Sequence, residues 1–330
     1  MTAETVLSAS TPGALEPSPA HQLRRWARTR RRALAITEGL AVLDALPAIG
    51  FAAGIAGGIG RIASDDGPIW PWVMLAVLSL GFRAVLNQLA TSGGAQVAAG
   101  VKSEMRRTVL TQIFSGRRSD ANGLSAAVEG VEALDGYFAR FAALKTAAAV
   151  APLVIIAAAA FASPVAAGIL LFTLIPFVIG MALTGMAAAN ESRRHFAALQ
   201  KLAGVFIDRV RALPVLIAYQ AESRAVAEIT RASDELERRT SRVLKIAFLS
   251  SGVLEFFAAL SVALVAVYCG FNLLRLLPFP SPETLTLTRA FFVLALAPEV
   301  YAPLRRLAAA YHDRQAAEAA AAVLTAAADE

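Results

Sequence analysis

Residues 246–274, IAFLSSGVLEFFAALSVALVAVYCGFNLL, constrain this chain more than any other stretch. They hold one acidic residue, Glu255, and no basic one. As a helix at about 1.5 Å per residue the segment is about 43 Å long, against a hydrocarbon core of about 30 Å. A helix so long and apolar on every side has few homes outside lipid, so it reads as a membrane span that protrudes. The composition agrees. The chain is 57% hydrophobic and 17% charged, with a mean hydropathy of +0.57, the profile of a helical membrane protein.

The remaining residues repeat this pattern. Residues 1–22 are rich in Ser, Thr, Pro and Ala and predict a disordered tail. A basic run follows, Arg24, Arg25, Arg28, Arg30, Arg31 and Arg32. The apolar stretch after it is about twice the length of a secretory signal core of about 7–15 residues, so it is read as a span held by arginines in the cytoplasm. Pro47 and the glycines near 54–60 are expected to kink or loosen it. Six spans are predicted, at about 33–62, 69–90, 146–162, 165–187, 246–274 and 285–300. ASDDGP (63–68), Ser163-Pro164 and the proline-rich 275–284 are short outer connections, and 91–145 and 188–245 are long, basic, helical inner ones. Both termini then lie in the cytoplasm, with 326–330 as a short tail. Asp234 with Arg238 and Glu235 with Arg239 are acid-before-base pairs at the helical i,i+4 spacing.

Several functions are disfavoured. The net charge of +6 fits positive-inside loops better than a nucleic-acid surface, since no soluble basic face with aromatics is present. Cys269 is the single cysteine, and His21, His195 and His312 lack ligand spacing, so no disulfide framework or metal site is read. Secondary transporters usually join their spans tightly on both sides and often carry inverted repeats. The long inner helices instead suggest a membrane domain that touches a cytoplasmic machine.

At four stretches the residues become specific. VEGVEALDGYFARF (128–141) resembles the first cytoplasmic coupling segment of the ABC exporters, in particular the CydD-type half of the thiol exporter linked to cytochrome bd assembly. SRRHFAALQKLAGVFIDRVRALPVLIAYQAE (192–222) resembles the second cytoplasmic loop of that family. RRTSRVLKIAFLSSGVLEFFAALSVALVAVYCGFNLL (238–274) is similar to its fifth helix, and LALAPEVYAPLRRLAAAYHDRQAAEAAAAVL (294–324) to its sixth and the exit toward the ATPase. Tyr219-Gln220 departs from the Phe-Gly usual in the family, AALKT (142–146) lacks an expected proline, and the Ala-rich third and fourth spans match less well.

The resemblance implies an all-α membrane protein, the six-helix transmembrane domain of a type I ABC exporter over residues 23–325, with long cytoplasmic helical extensions. It implies a membrane subunit moving small thiols, cysteine or glutathione-like, out of a bacterial cytoplasm across the inner membrane. No GxxxxGK[ST] loop occurs in the 330 residues, so nothing in them cradles ATP phosphates. ATP and magnesium are therefore expected on a nucleotide-binding subunit in trans, alongside a second half-transporter, with no cofactor in this chain. The alternative is a degenerate, non-transporting scaffold that occupies a partner.

Candidate site residues follow. Glu255 is read either as a polar contact in the substrate cavity or as a charge at the inner boundary. Arg83 is its candidate partner, and Asp44 raises the same question, because charges inside a span are rare and face the interior or a cavity. Asn87 and Gln88 are expected to bond to neighbouring helices. For ATPase docking, Glu132 and Asp135 are expected to set register and Tyr137 and Phe138 to supply contact area. Arg211, Pro214 and Tyr219 mark a short docking helix between two long ones.

Overall fold

A computed structural model describes residues 19–65, 67–115, 126–278 and 283–326. These residues form helices, turns and connections, with no strand among them. The elements are α1 (Pro19–Thr29), α2 (Arg31–Leu43), α3 (Ala45–Ser64), α4 (Trp70–Phe114), two π-type turns (Ala126–Gly130 and Tyr137–Phe141) and α5 (Ala142–Ala162). They continue with α6 (Pro164–Arg211), α7 (Leu213–Ala218), α8 (Glu222–Leu273), α9 (Leu287–Ala309) and α10 (Tyr311–Ala326). Six stretches are long and apolar enough to cross a membrane: Arg31–Ser64, Trp70–Phe114, Tyr137–Ala162, Pro164–Arg211, Glu222–Leu273 and Leu287–Ala322. Each overlaps one predicted span, and most run well beyond it. The chain divides into two compact units, residues 1–162 with 286–330, and residues 163–285.

In the first unit, the first span is broken at Asp44, between α2 and α3. Pro47 is the third residue of α3, where its missing amide removes the bond that would reach back to Leu43 and so favours a helix start. The expected loosening at the glycines does not occur, because α3 runs unbroken to Ser64. Gly54 serves close packing instead. A Cβ there would lie 2.7 Å from the Ala76 amide nitrogen and 2.8 Å from the Trp72 carbonyl oxygen, so only glycine lets α4 approach this closely. At 45 residues, α4 is continuous from the apolar span into the polar extension, about 68 Å in all.

The helical part of the chain starts earlier than the sequence suggests at both of two places. The amphipathic α1 begins at Pro19, inside the stretch expected to be a tail over residues 1–22; residues 1–18 lie outside the described residues. The third span, expected from about 146, is preceded by the turn Tyr137–Phe141 and by the first residues of α5. The reason for both is one apolar cluster at the polar end of the unit. Leu23, Val97, Val101, Val131, Leu134, Phe138, Ala317, Ala321 and Leu324 are all buried there. Four segments distant in sequence therefore close on one another.

The second unit is a helical hairpin of α6 and α8, 48 and 52 residues, about 72 and 78 Å long. Ser163 caps α6 by accepting from the Ala166 amide at 3.1 Å, with Pro164 in the first turn. The Ser163 hydroxyl also donates to Glu283 Oε1, as does the Tyr268 hydroxyl at 2.7 Å. Asn272 joins them, donating to the Glu283 carbonyl at 3.1 Å and accepting from the Leu285 amide at 3.0 Å. At the other end α7 turns the chain between the long helices, with Pro214 in its first turn. Along the hairpin, Glu235 accepts from Arg239 at 2.7 Å as expected, whereas Arg238 turns to Glu235 at 3.1 Å rather than to Asp234. Glu235 lies one helical turn before both arginines and serves them together.

Candidate functional site

Three helices of the first unit bring four charges together inside the apolar zone. Asp44 sits at the α2–α3 break, Arg83 on α4, and Glu299 and Arg306 on α9. Arg83 Nε donates to Asp44 Oδ1 at 3.1 Å and Nη2 to Oδ2 at 3.4 Å. On its other edges, Nη1 donates to Glu299 Oε1 at 3.1 Å and Nη2 to Oε2 at 2.7 Å. Arg306 Nη1 donates to Asp44 Oδ2 at 3.0 Å. A guanidinium presents donors in a fixed planar fork, so Arg83 holds two carboxylates at once, each through two bonds. The two acids balance the two bases, which is what allows Asp44, Arg83 and Glu299 to withdraw from water while Arg306 stays partly exposed.

The network borders a cavity of about 440 Å³. Its wall is mostly small: Ala41, Ala45, Ala48, Ala90, Ala139, Ala143, Ala147 and Ala151 contribute, with Ile155 and Leu144. Asp44, Arg83, Asn87, Thr91, Arg140, Glu299 and Arg306 supply its polar groups. Three guanidiniums against two carboxylates leave the lining positive by one. Arg140 is also held from outside the lining, donating to Asp313 on α10 at 3.1 and 3.0 Å. An alanine wall leaves room, and convergent charges of both signs suit a small ligand that itself carries both signs.

The family model of the ABC transporter transmembrane region matches residues 42–296. The chain belongs to the ABC transporter transmembrane-region family. This ABC transmembrane region is a multi-pass membrane protein, and its match takes in Asp44 and Arg83 and ends before Glu299. It is 36% identical over 259 residues to the "Glutathione/L-cysteine transport system ATP-binding/permease protein CydD" of Haemophilus influenzae, covering 76% of this chain and 44% of that protein. The protein of the same name from Escherichia coli is 37% identical over 255 residues, 75% of this chain and 43% of that protein. "Transport ATP-binding protein AarD" of Providencia stuartii is 33% identical over 316 residues, 91% and 53%. The chain spans about half the length of the curated relatives it matches.

Within this ABC transmembrane region, the structure brings Asp44 and Arg83 into one ion pair. Glu255 lies in the other unit, exposed on α8 beside the exposed Phe256. Within its own unit, Arg83, the candidate partner of Glu255, is engaged by Asp44 and Glu299. Asn87 lines the cavity, and among the described residues its side chain makes no bond to a neighbouring helix.

The docking residues divide as well. Phe138 is 1% exposed, so it offers no surface to another chain; it is a core residue of the cluster around Leu23. Tyr137 packs edge-on to it at 5.0 Å. Glu132 and Asp135 are held by this chain's own Lys102, at 2.8 and 2.7 Å, rather than standing open for a partner's bases. Around α7 the side chains do stand free of the fold. Leu213, Val215, Ile217 and Tyr219 are 48–80% exposed, and Arg211 and Pro214 are exposed with them. Sequence reasoning missed Glu299 and Arg306. Glu299 was placed at the edge of the sixth span, yet α9 continues to Ala309, which sets Glu299 inside a helix with its carboxylate needing a cation.

Proposed function

We propose that this chain is the membrane-crossing part of an ATP-driven exporter of small thiols, of the cysteine or glutathione class, acting in support of cytochrome bd assembly. ATP is bound with magnesium and hydrolysed by a nucleotide-binding domain outside these 330 residues, and a second half-transporter completes the pathway. The chain sits in the bacterial inner membrane with both ends in the cytoplasm, which puts the basic connections on that side.

The observation that carries this reading is the two-signed cavity at Asp44, Arg83, Glu299 and Arg306. Cysteine presents an ammonium and a carboxylate, and glutathione an ammonium and two carboxylates, so either offers both signs to a lining that holds both. Their similarity to relatives named for glutathione and L-cysteine transport supports the same class. A ligand carboxylate entering the cavity competes with Asp44 and Glu299 for the Arg83 fork. Freed acids no longer tie α3 to α4 and α9, so ligand entry and helix separation are linked. Glu255 serves this pathway from the second unit, as a polar contact on α8. Force from ATP hydrolysis reaches the membrane through the exposed α7.

The test is ATP-dependent uptake of radiolabelled cysteine and glutathione into inverted vesicles holding the chain with its ATPase partner. Uptake should need ATP, and Arg83→Lys, which keeps the charge facing Asp44 and Glu299 but loses the planar fork, and Glu255→Gln should each reduce it while the complex still assembles. Absent uptake by an assembled, ATP-hydrolysing complex would establish the scaffold alternative instead, and ATP-independent uptake would overturn the ATP-driven reading.

A further inference from the structure

Many cations of this chain are neutralised within it. Arg83, Arg140, Arg209, Arg239, Arg306 and Arg314 are each paired with a carboxylate. Arg28, Arg30, Arg31, Arg32 and Arg107 have no ion-pair partner among the described residues, and all five are exposed. They are not scattered. Two adjoining open cavities of about 730 and 690 Å³ are lined by these five, with Glu104 and Arg30 common to both. Arg30 is seated by a specific feature of α4, because its guanidinium lies directly over Gly100, where any side chain would collide with it. The groove therefore has a floor made by α4 and cations supplied by α1, α2, the Arg30 junction between them and α4 itself.

We infer that this groove binds the phosphate headgroup of an anionic membrane phospholipid. Its position decides the occupant. Arg28 to Arg32 stand at the start of the first membrane-crossing stretch. Ile36, one helical turn beyond Arg32, is 63% exposed. A headgroup among the arginines thus has its acyl chain beside an apolar face, and clustered basic residues flanking a span attract anionic lipid in this way. No aromatic side chain lines either cavity, so nothing offers nucleic-acid bases a stacking platform. Glu104 is the one carboxylate in the groove. It opposes the bound phosphate and makes the site sensitive to its own neutralisation. The site is independent of the thiol pathway and stands or falls separately from it.

The experiment titrates the full 330-residue chain, purified in a neutral detergent, with dioctanoyl phosphatidylglycerol and follows binding by native mass spectrometry. Dioctanoyl phosphatidylcholine, inorganic phosphate and a short single-stranded oligonucleotide are the comparison ligands. Phosphatidylglycerol should saturate while phosphatidylcholine does not. Arg107→Gln, which lies on α4 away from the start of the first span and leaves insertion intact, should weaken binding about fivefold. Arg28→Gln with Arg32→Gln should weaken it further, and Glu104→Gln should tighten it. Equal binding of the two lipids, or unchanged affinity in both arginine variants, overturns the inference. So does displacement of the lipid by an equal concentration of inorganic phosphate, which marks a free-anion site, or tighter binding of the oligonucleotide.

Discussion

Arg83 and Asp44, 39 residues apart, meet through two hydrogen bonds of 3.1 and 3.4 Å, and the same guanidinium holds Glu299 from 216 residues away. One side chain thus fastens the first, second and sixth spans. Removing a single member leaves the others charged in a poorly solvated place. Asp44→Ala should lower stability by about 3–5 kcal/mol. Replacing Asp44 and Arg83 together by leucine removes two opposite charges at once and should cost less than the sum of the two single replacements, although Glu299 and Arg306 each lose a partner. Thermal unfolding of the detergent-solubilised variants measures both. A loss in the double variant equal to the sum of the two single losses would mean that the pair is not coupled.

Docking should depend on α7 and not on the aromatic pair at 137–138. Val215→Ala combined with Ile217→Ala alters two exposed side chains, 58% and 56%, and should leave folding unchanged. If α7 is the contact, affinity for the ATPase partner should fall by at least about thirtyfold, the effect of losing a hot spot of about 2 kcal/mol. Phe138→Ala should instead unfold the polar end, at a cost of about 3–5 kcal/mol. A pull-down paired with a melting curve separates the two, and a stable Phe138→Ala chain that loses its partner would reverse the assignment.

Gln220 has a φ of +50°, the left-handed region, immediately after α7 and Tyr219. The resemblance places glycine at this position, and the backbone gives the reason. A side chain there costs about 1–2 kcal/mol, offset by the about 0.5–1 kcal/mol that glycine loses in chain entropy. Gln220→Gly should therefore stabilise the hairpin by about 0.5 kcal/mol, read as a small rise in Tm. A fall in Tm would show that the glutamine side chain makes a compensating contact.

Orientation is open to direct chemical labelling. With the buried Cys269 replaced by alanine, Ser64→Cys at the end of α3 and Ser115→Cys after α4 should react on opposite sides of the membrane. An impermeant thiol reagent added outside intact cells should modify the first and spare the second. Modification of both from outside would remove the six-span arrangement.

What could be read from sequence was what depends on neighbours in the chain. The Ser163-Pro164 turn is a serine cap followed by a first-turn proline, a signal contained in two residues. The long α4 and α8 follow from an unbroken helical pattern. Long-range pairing was out of reach. Arg306 meets Asp44 across 262 positions, and nothing local at Arg306 distinguishes it from its exposed neighbour Arg305. Phe138 read as a surface aromatic because its burial is supplied by Leu23 and Leu324, from the two ends of the chain. The acids at Glu132 and Asp135 were recognised as a charged set, but Lys102, which neutralises them, lies on a different helix.

The α6–α8 hairpin carries ion pairs at two heights. Arg209 binds Glu228 near the α7 tip. Closer to the membrane, Arg239 binds Glu191 at 3.1 Å. Residues 191 and 209 are about 27 Å apart along α6. Two rods joined by crosspieces at both places resist sliding past each other and tilt as one truss. A push on α7 is then delivered at bilayer depth as a rotation of the whole hairpin, with little lost to bending. Cutting the crosspieces, by Glu191→Gln with Glu228→Gln, would let the rods shear, and the same stroke at the tip would arrive shortened.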